Sequence, residues 1–190
     1  MRGYPLASVI SVDDVGFPFV SLLPLHVHER AGAFSLSGHL ARANPQVDFL
    51  RARPKVLISF MGPHAFMSTR VYADLARVPT WSYLTVQCTV QAREVPLPSD
   101  KDLLLKQLIG DHDPAYATQW RNLPENFQQG MMNGIVAFEF DVLTWSCKLK
   151  LNQHRPESHA AMHAAYAAGN DNERALAQWM QRLGLVSSAP

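Results

Sequence analysis

A short run, Ser37-Gly38-His39-Leu40-Ala41-Arg42-Ala43-Asn44-Pro45, gathers a histidine, an arginine and a helix start in one place. Phe34 and Leu36 alternate with Ser35 and Ser37, the period of a half-buried strand. Gly38 admits another backbone, or a ligand, at close range. Asn44 before Pro45 predicts a helix start, with Asn as N-cap and Pro at the first helical position, where no amide hydrogen is needed. His39 and Arg42 then stand beside free amides and a partial positive dipole, a set that favours phosphate. A surface turn with a solvated arginine is the competing explanation.

Other residues offer chemistry of different kinds. His26 and His28 face the same way in a strand, a geometry that a metal would use, but no carboxylate or cysteine pair stands nearby in sequence. Ser68, Thr69, Arg70 and Tyr72 form a polar cluster that reads equally as an ordinary loop. Asp111-His112-Asp113 suits a metal or an acid–base pair, or an exposed loop between a helix end and Pro114. His159 and His163 are spaced i, i+4, without the glutamate that usually accompanies a helical metal pair. Lys148 and Lys150 share one strand face and lead into Asn152-Gln153-His154-Arg155, a cluster of donors suited to an anion; a lysine-guarded sheet edge explains the lysines as well.

The elements that position these residues follow from period and punctuation. Strands are expected at 7–12, 17–23, 34–40, 55–61, 64–68, from 78 onward, 134–142 and 145–151, with Gly62-Pro63 breaking one of them and a short turn before Trp145 separating the last two. Leu84, Val86, Cys88, Val90 and Ala92 alternate with Tyr83, Thr85, Gln87, Thr89 and Gln91, giving the clearest strand of the chain. Ser99 with Asp102 resembles a capping box for a helix ending at Gly110. Asn170 or Asp171 caps a final helix that Gly184 stops. The expectation is one domain over 1–190, mainly β with peripheral helices, carrying a helical insertion at about 99–132 and C-terminal helices at about 156–184.

Composition narrows the function classes. The chain of 190 residues is 47% hydrophobic and 17% charged, enough for a sizeable core. A net charge of +1 argues against non-specific nucleic-acid binding, and no helix-turn-helix pattern appears. No apolar run approaches the ~20 residues of a membrane span, and no signal peptide is read at the start. Two cysteines, Cys88 and Cys147, in strand-like segments fit buried thiols in the cytoplasm. Rossmann, phosphate-loop and zinc-finger spacings are missing.

Four blocks together resemble the PaiB family, described as FMN-binding negative transcriptional regulators. They are Gly38-His39-Leu40-Ala41-Arg42-Ala43-Asn44-Pro45, Phe60-Met61-Gly62-Pro63-His64-Ala65-Phe66, Val78-Pro79-Thr80-Trp81-Ser82-Tyr83 and Lys148-Leu149-Lys150-Leu151-Asn152-Gln153, in that order over most of the chain. The resemblance implies a split β-barrel, shared with flavin reductases and pyridoxamine-phosphate oxidases, that pairs as a homodimer with FMN in the groove between subunits. It implies His39, Arg42 and Asn44 at the phosphate end, Ser68 and Tyr72 nearby, Thr80, Trp81 and Tyr83 bordering the ring or the partner subunit, and Lys150, Gln153 and Arg155 closing the site. The chain departs from the family pattern in three places. Ser68-Thr69-Arg70-Val71-Tyr72 stands for Ser-Pro-Ser-Trp-Tyr, Ser82 for an Asn, and Asn152-Gln153-His154-Arg155 for Ser-Gln-Asn-Arg. The function implied is a flavin-dependent sensor or negative regulator, with a flavin-dependent oxidoreductase or a heme-handling relative as alternatives. The resemblance names no catalytic residue and no metal.

Overall fold

The computed structural model describes residues 1–30, 32–74 and 76–187. Seven strands form one sheet: β1 (Leu6–Val12), β2 (Pro18–Pro24), β3 (His26–Arg30), β4 (Ala33–Ala41), β5 (Lys55–Met67), β6 (Thr80–Glu94) and β7 (Ile135–Lys150), in the spatial order β2-β1-β5-β6-β7-β4-β3. Six helices accompany them: α1 (Gln46–Ala52), α2 (Pro98–His112), α3 (Tyr116–Arg121), α4 (Glu125–Asn133), α5 (His159–Ala167) and α6 (Asp171–Arg182). The chain divides into two compact units, the first of residues 1–60 and 87–146, the second of 61–86 and 147–190.

In the first unit, β1 and β2 form the expected hairpin, antiparallel from Leu6 opposite Pro24 to Val12 opposite Pro18. Asp13 closes the turn: its carboxylate accepts from the amides of Val15 at 3.0 Å and Phe17 at 2.7 Å, and Gly16 takes the left-handed φ of 88°. β4 runs antiparallel to β7 from Ser35 opposite Asp141 to Ala41 opposite Ile135. Phe60, Phe138, Phe140, Leu36, Leu40 and Ile58 are fully buried here. Gln46 ties α1 to β1, its amide donating to Val9 O at 2.8 Å and Ser11 Oγ at 3.0 Å. Gly38 fits a crowded spot: a Cβ there would stand 2.5 Å from Leu25 Cδ2 and 3.2 Å from Pro24 O.

The second unit has its own core of Ala65, Met67, Leu84, Leu151, Met162, Tyr166, Leu176 and Met180. Asn170 caps α6 in a full capping box with Glu173, as the polar pair at the start of that segment predicts, and Gly184 follows the helix at φ 68°.

Four local expectations need correction. Gly62-Pro63 does not break β5, which runs through to Met67. Register with β1 covers only Leu57–Phe60, so Pro63 stands beyond that pairing and its missing amide costs no bond there. No turn precedes Trp145: β7 is continuous from Ile135 to Lys150, and Thr144 beside Trp145 favours the strand. α2 starts at Pro98 with Leu97 as N-cap, without the Ser99 box, and it passes Gly110 to end at His112. Pro45, not Asn44, holds the N-cap position of α1, although the Asn44 side chain still accepts the Gln46 amide at 2.9 Å.

Gly38→Ala should lower stability by about 1–3 kcal/mol, since the new methyl overlaps Leu25 Cδ2 at 2.5 Å and crowds Pro24 O at 3.2 Å. Gly110→Ala, in open space inside a helix, should raise it by about 0.5–1 kcal/mol. Denaturant midpoints at constant slope measure both.

Candidate functional site

A cavity of about 440 Å³ opens in the second unit. Three pieces of chain wall it: the start of β6 with Thr80, Trp81 and Ser82; the end of β7 with Lys150 and the following Asn152–Arg155; and the segment that carries Tyr72 and Arg77. Its lining holds Arg77, Lys150 and Arg155 and, among the described residues, no carboxylate.

Lys150 is the centre of this arrangement. Its ammonium donates to Thr80 Oγ1 at 2.7 Å and lies 5.6 Å from the Tyr83 ring centroid. Both partners are neutral, and no carboxylate among the described residues pairs with this half-buried lysine. Arg77 is more committed. It pairs with Asp74 at 2.8 Å, donates to Ala76 O at 3.1 Å and lies 5.3 Å from the Tyr72 centroid. Its Nε is sealed from solvent and has no hydrogen-bond partner. Arg155 is 3.8 Å from Glu157, a loose pair.

The turn after β7 is pinned from several sides. Asn152 takes a left-handed φ of 59°, the only non-glycine among the described residues to do so. Its side chain donates to Ser158 Oγ at 2.8 Å, and that hydroxyl donates to Arg155 O at 2.8 Å. His159 has Nε2 3.0 Å from Asn152 O and Nδ1 3.2 Å from Leu185 O. Gln153 accepts from the Leu151 amide at 3.0 Å and donates to Leu149 O. On the opposite wall Trp81 is exposed, with Phe66 edge-on at 6.2 Å and His64 at 6.3 Å. Ser82 is buried and accepts from the Tyr166 hydroxyl at 2.9 Å.

Of the residues singled out in the sequence, Tyr72, Thr80, Trp81, Lys150, Gln153 and Arg155 line this one cavity, and Tyr83 joins it through Lys150. Ser68 opens the 3-10 turn Thr69–Val71 by accepting the Arg70 amide at 3.2 Å. His39, Arg42 and Asn44 belong to the first unit. There Arg42 donates to Asn133 O at 2.6 Å and Ile135 O at 3.2 Å. Asn44 donates to Ser21 Oγ at 2.9 Å. His39 sits opposite Ala137 with a buried Nδ1 that lacks a partner, and burial lowers its pKa, favouring neutral imidazole. Arg77 was not legible as a site residue: it lies in an irregular segment, and only the fold brings it to Lys150. Asn152 and His154, read in sequence as part of a donor cluster, also line the cavity.

The histidine and acidic motifs resolve into pairs. His26 bonds Asp111, His28 Nε2 lies 2.8 Å from Ser37 Oγ, and the two imidazoles touch with centroids 4.4 Å apart. Among the described residues no group of three or more His, Cys, Asp or Glu is placed to hold a metal.

The donor set of the second-unit cavity fits FMN: an uncompensated ammonium and guanidinium groups for the phosphate, an exposed Trp for a flat ring, and hydroxyl and amide groups for ring heteroatoms. Comparison with known proteins bears on the family and the cofactor. A family model described as "Putative FMN-binding domain" matches residues 1–144. "Protease synthase and sporulation protein PAI 2" of Bacillus subtilis (strain 168) is 29% identical over 148 residues, 76% of this chain and 70% of that protein. The flavocytochrome Anf3 of Azotobacter vinelandii superposes with a TM-score of 0.61 at 17% identity, over 78% of this chain and 63% of that one. The FAD and heme binding protein of Mycobacterium smegmatis superposes with a TM-score of 0.57 at 17% identity, over 78% and 67%. The solved structures carry the fold, a mainly antiparallel sheet with peripheral helices, the split-barrel class. With more than half of its length matched by the family model, the chain belongs to the FMN-binding domain family, with FMN as its cofactor.

Proposed function

We propose that this chain is a homodimeric FMN-binding protein of the PaiB type, a flavin-dependent sensor or negative regulator, with the flavin in the second-unit cavity. The observation that carries the reading is Lys150 held by a neutral hydroxyl, at 2.7 Å, in a cavity without a lining carboxylate. A dianionic phosphate supplies the missing charge. FMN when bound supplies redox chemistry; the residues around it bind, orient and exclude water. The regulatory role is supported by the PAI 2 relative, whose name places it in sporulation and protease synthesis. With a net charge of +1, direct DNA contact is not the route the proposal favours. No helix among the described residues is long and apolar enough to cross a membrane.

The dimer is supported by the outer face of the β1–β2 hairpin. Leu6, Val12, Val20 and Leu22 are all exposed, and the register sets Leu22 opposite Ser8 and Val20 opposite Ile10. A contiguous apolar face of this kind marks an interaction surface. Sizing should give a dimer for the native chain and a monomer for Leu22→Glu; a native monomer would remove the dimeric part of the reading.

Titration with FMN and riboflavin tests the site. Lys150→Met should weaken FMN by about tenfold or more while changing riboflavin little, because a charge-assisted bond to phosphate is lost. His39, Arg42 and Asn44 lie in the first unit, outside this cavity, and stay a separate candidate for a phosphate. Arg42→Ala should weaken FMN less than Lys150→Met does, since two carbonyls already occupy that guanidinium. Saturating FMN without a change in its absorbance or fluorescence would overturn the function.

A further inference from the structure

His159 opens α5, is 6% exposed and makes two contacts of one kind. Nε2 lies 3.0 Å from Asn152 O, and Nδ1 lies 3.2 Å from Leu185 O. A carbonyl oxygen only accepts, so each nitrogen must carry a proton to bond its partner. Neutral imidazole has one ring proton: it serves one carbonyl and turns a bare nitrogen to the other. Imidazolium has two and serves both, through charge-assisted bonds. Asn152 belongs to the turn that walls the cavity, and Leu185 to the segment after α6. Asn152 O also accepts the Arg155 amide at 2.9 Å, so the oxygen that meets the imidazole also shapes the turn that carries Arg155.

Building on the FMN reading above, we infer that His159 is a proton-dependent latch on the cavity: as imidazolium it ties the Asn152 turn to the C-terminal segment, and on losing a proton it gives up one of the two ties. It is a positioning residue, acting through Asn152. The protonated state favours an anionic ligand in two ways. The wall stays ordered, and a further positive charge stands behind a lining that holds no carboxylate among the described residues. The surroundings leave that charge releasable. Among the described residues no carboxylate bonds His159, and a cation on the first residue of a helix opposes the helix dipole. The charged groups on the elements around it are otherwise engaged or exposed. Glu157 faces Arg155 at 3.8 Å, Lys150 rests on Thr80, and Arg70 of the Thr69–Val71 turn is exposed. On α6, Arg174 bonds Asp171, Glu173 accepts the Asn170 amide and Arg182 lies over Trp179. His154 in the cavity lining and His163 on α5 titrate as well, so the test must separate them from His159.

The full-length native chain, His159→Gln and His159→Asn decide it between about pH 5 and about pH 8, the span in which histidine changes charge. The two amides keep a donor on the Nε2 side and on the Nδ1 side respectively, and neither titrates. Without flavin, NMR of the ring nitrogens, assigned by their loss in the variants, should show both His159 nitrogens protonated at the acid end and one at the other. A ring that keeps one state throughout overturns the latch. Hydrogen exchange, corrected for its intrinsic pH dependence, should quicken by about fivefold in residues 152–158 or 183–187 as the native ring loses its proton, and stay level in His159→Gln. Level exchange in the native chain overturns the tie. With flavin, the native chain should lose about fivefold more FMN affinity across this span than His159→Gln loses, and riboflavin affinity should change less. Equal losses in the two chains would assign the pH dependence to His154 and the FMN phosphate, which both chains share, and overturn the coupling. If His159→Gln does not fold, His159→Asn takes its place in each comparison. A native chain that binds neither flavin overturns the FMN reading and the coupling with it, while the flavin-free measurements still decide the latch.

Discussion

Everything proposed for the second unit depends on one ammonium group whose partners are neutral. Lys150 rests on the Thr80 hydroxyl and beside the Tyr83 ring, and neither cancels its charge. Partial burial strips such a cation of water, and a hydroxyl and a ring face return only part of that hydration. Three arginines of the first unit are held differently. Arg93 is held by Glu139 at 3.1 Å and Asp141 at 2.6 Å, Arg51 by Glu94 and Asp48, and Arg53 by Asp14 at 2.7 Å. Glu94 titrates lower than usual because the Arg51 guanidinium bonds it. In those pairs the guanidinium charge is met by a carboxylate. The contrast in counter-charge, more than the number of basic residues, separates an anion site from an ordinary charged surface.

An open charge is useful only if its surroundings stay in place. The turn after β7 meets this need through backbone contacts. Asn152 accepts the left-handed conformation that most side chains avoid, and three hydrogen bonds run from it to Ser158 and His159 and from Ser158 to the Arg155 carbonyl. Gln153 folds back on the same strand end, bonding both Leu149 and Leu151. Its role in the cavity is thereby more architectural than a surface amide would suggest. A ligand entering here meets walls already ordered, so little of the binding energy goes into arranging them.

How much of this could be read from residues alone varies with the range of the interaction. Strand alternation in β6 and a cap at Asn170 or Asp171 are local patterns; the alternation stands, and Asn170 is the cap. The break expected at Gly62-Pro63 was a local inference defeated by a nonlocal fact: β1 stops pairing before the proline. The same holds for the side chains of the site. Thr80 and Lys150 are 70 positions apart, and Arg42 and Asn133 are 91 apart, so their partners are products of the fold. A motif can nominate such residues; it cannot say which carbonyl or hydroxyl will claim them. Arg77 shows the reverse failure, a cavity residue in a segment without period or punctuation.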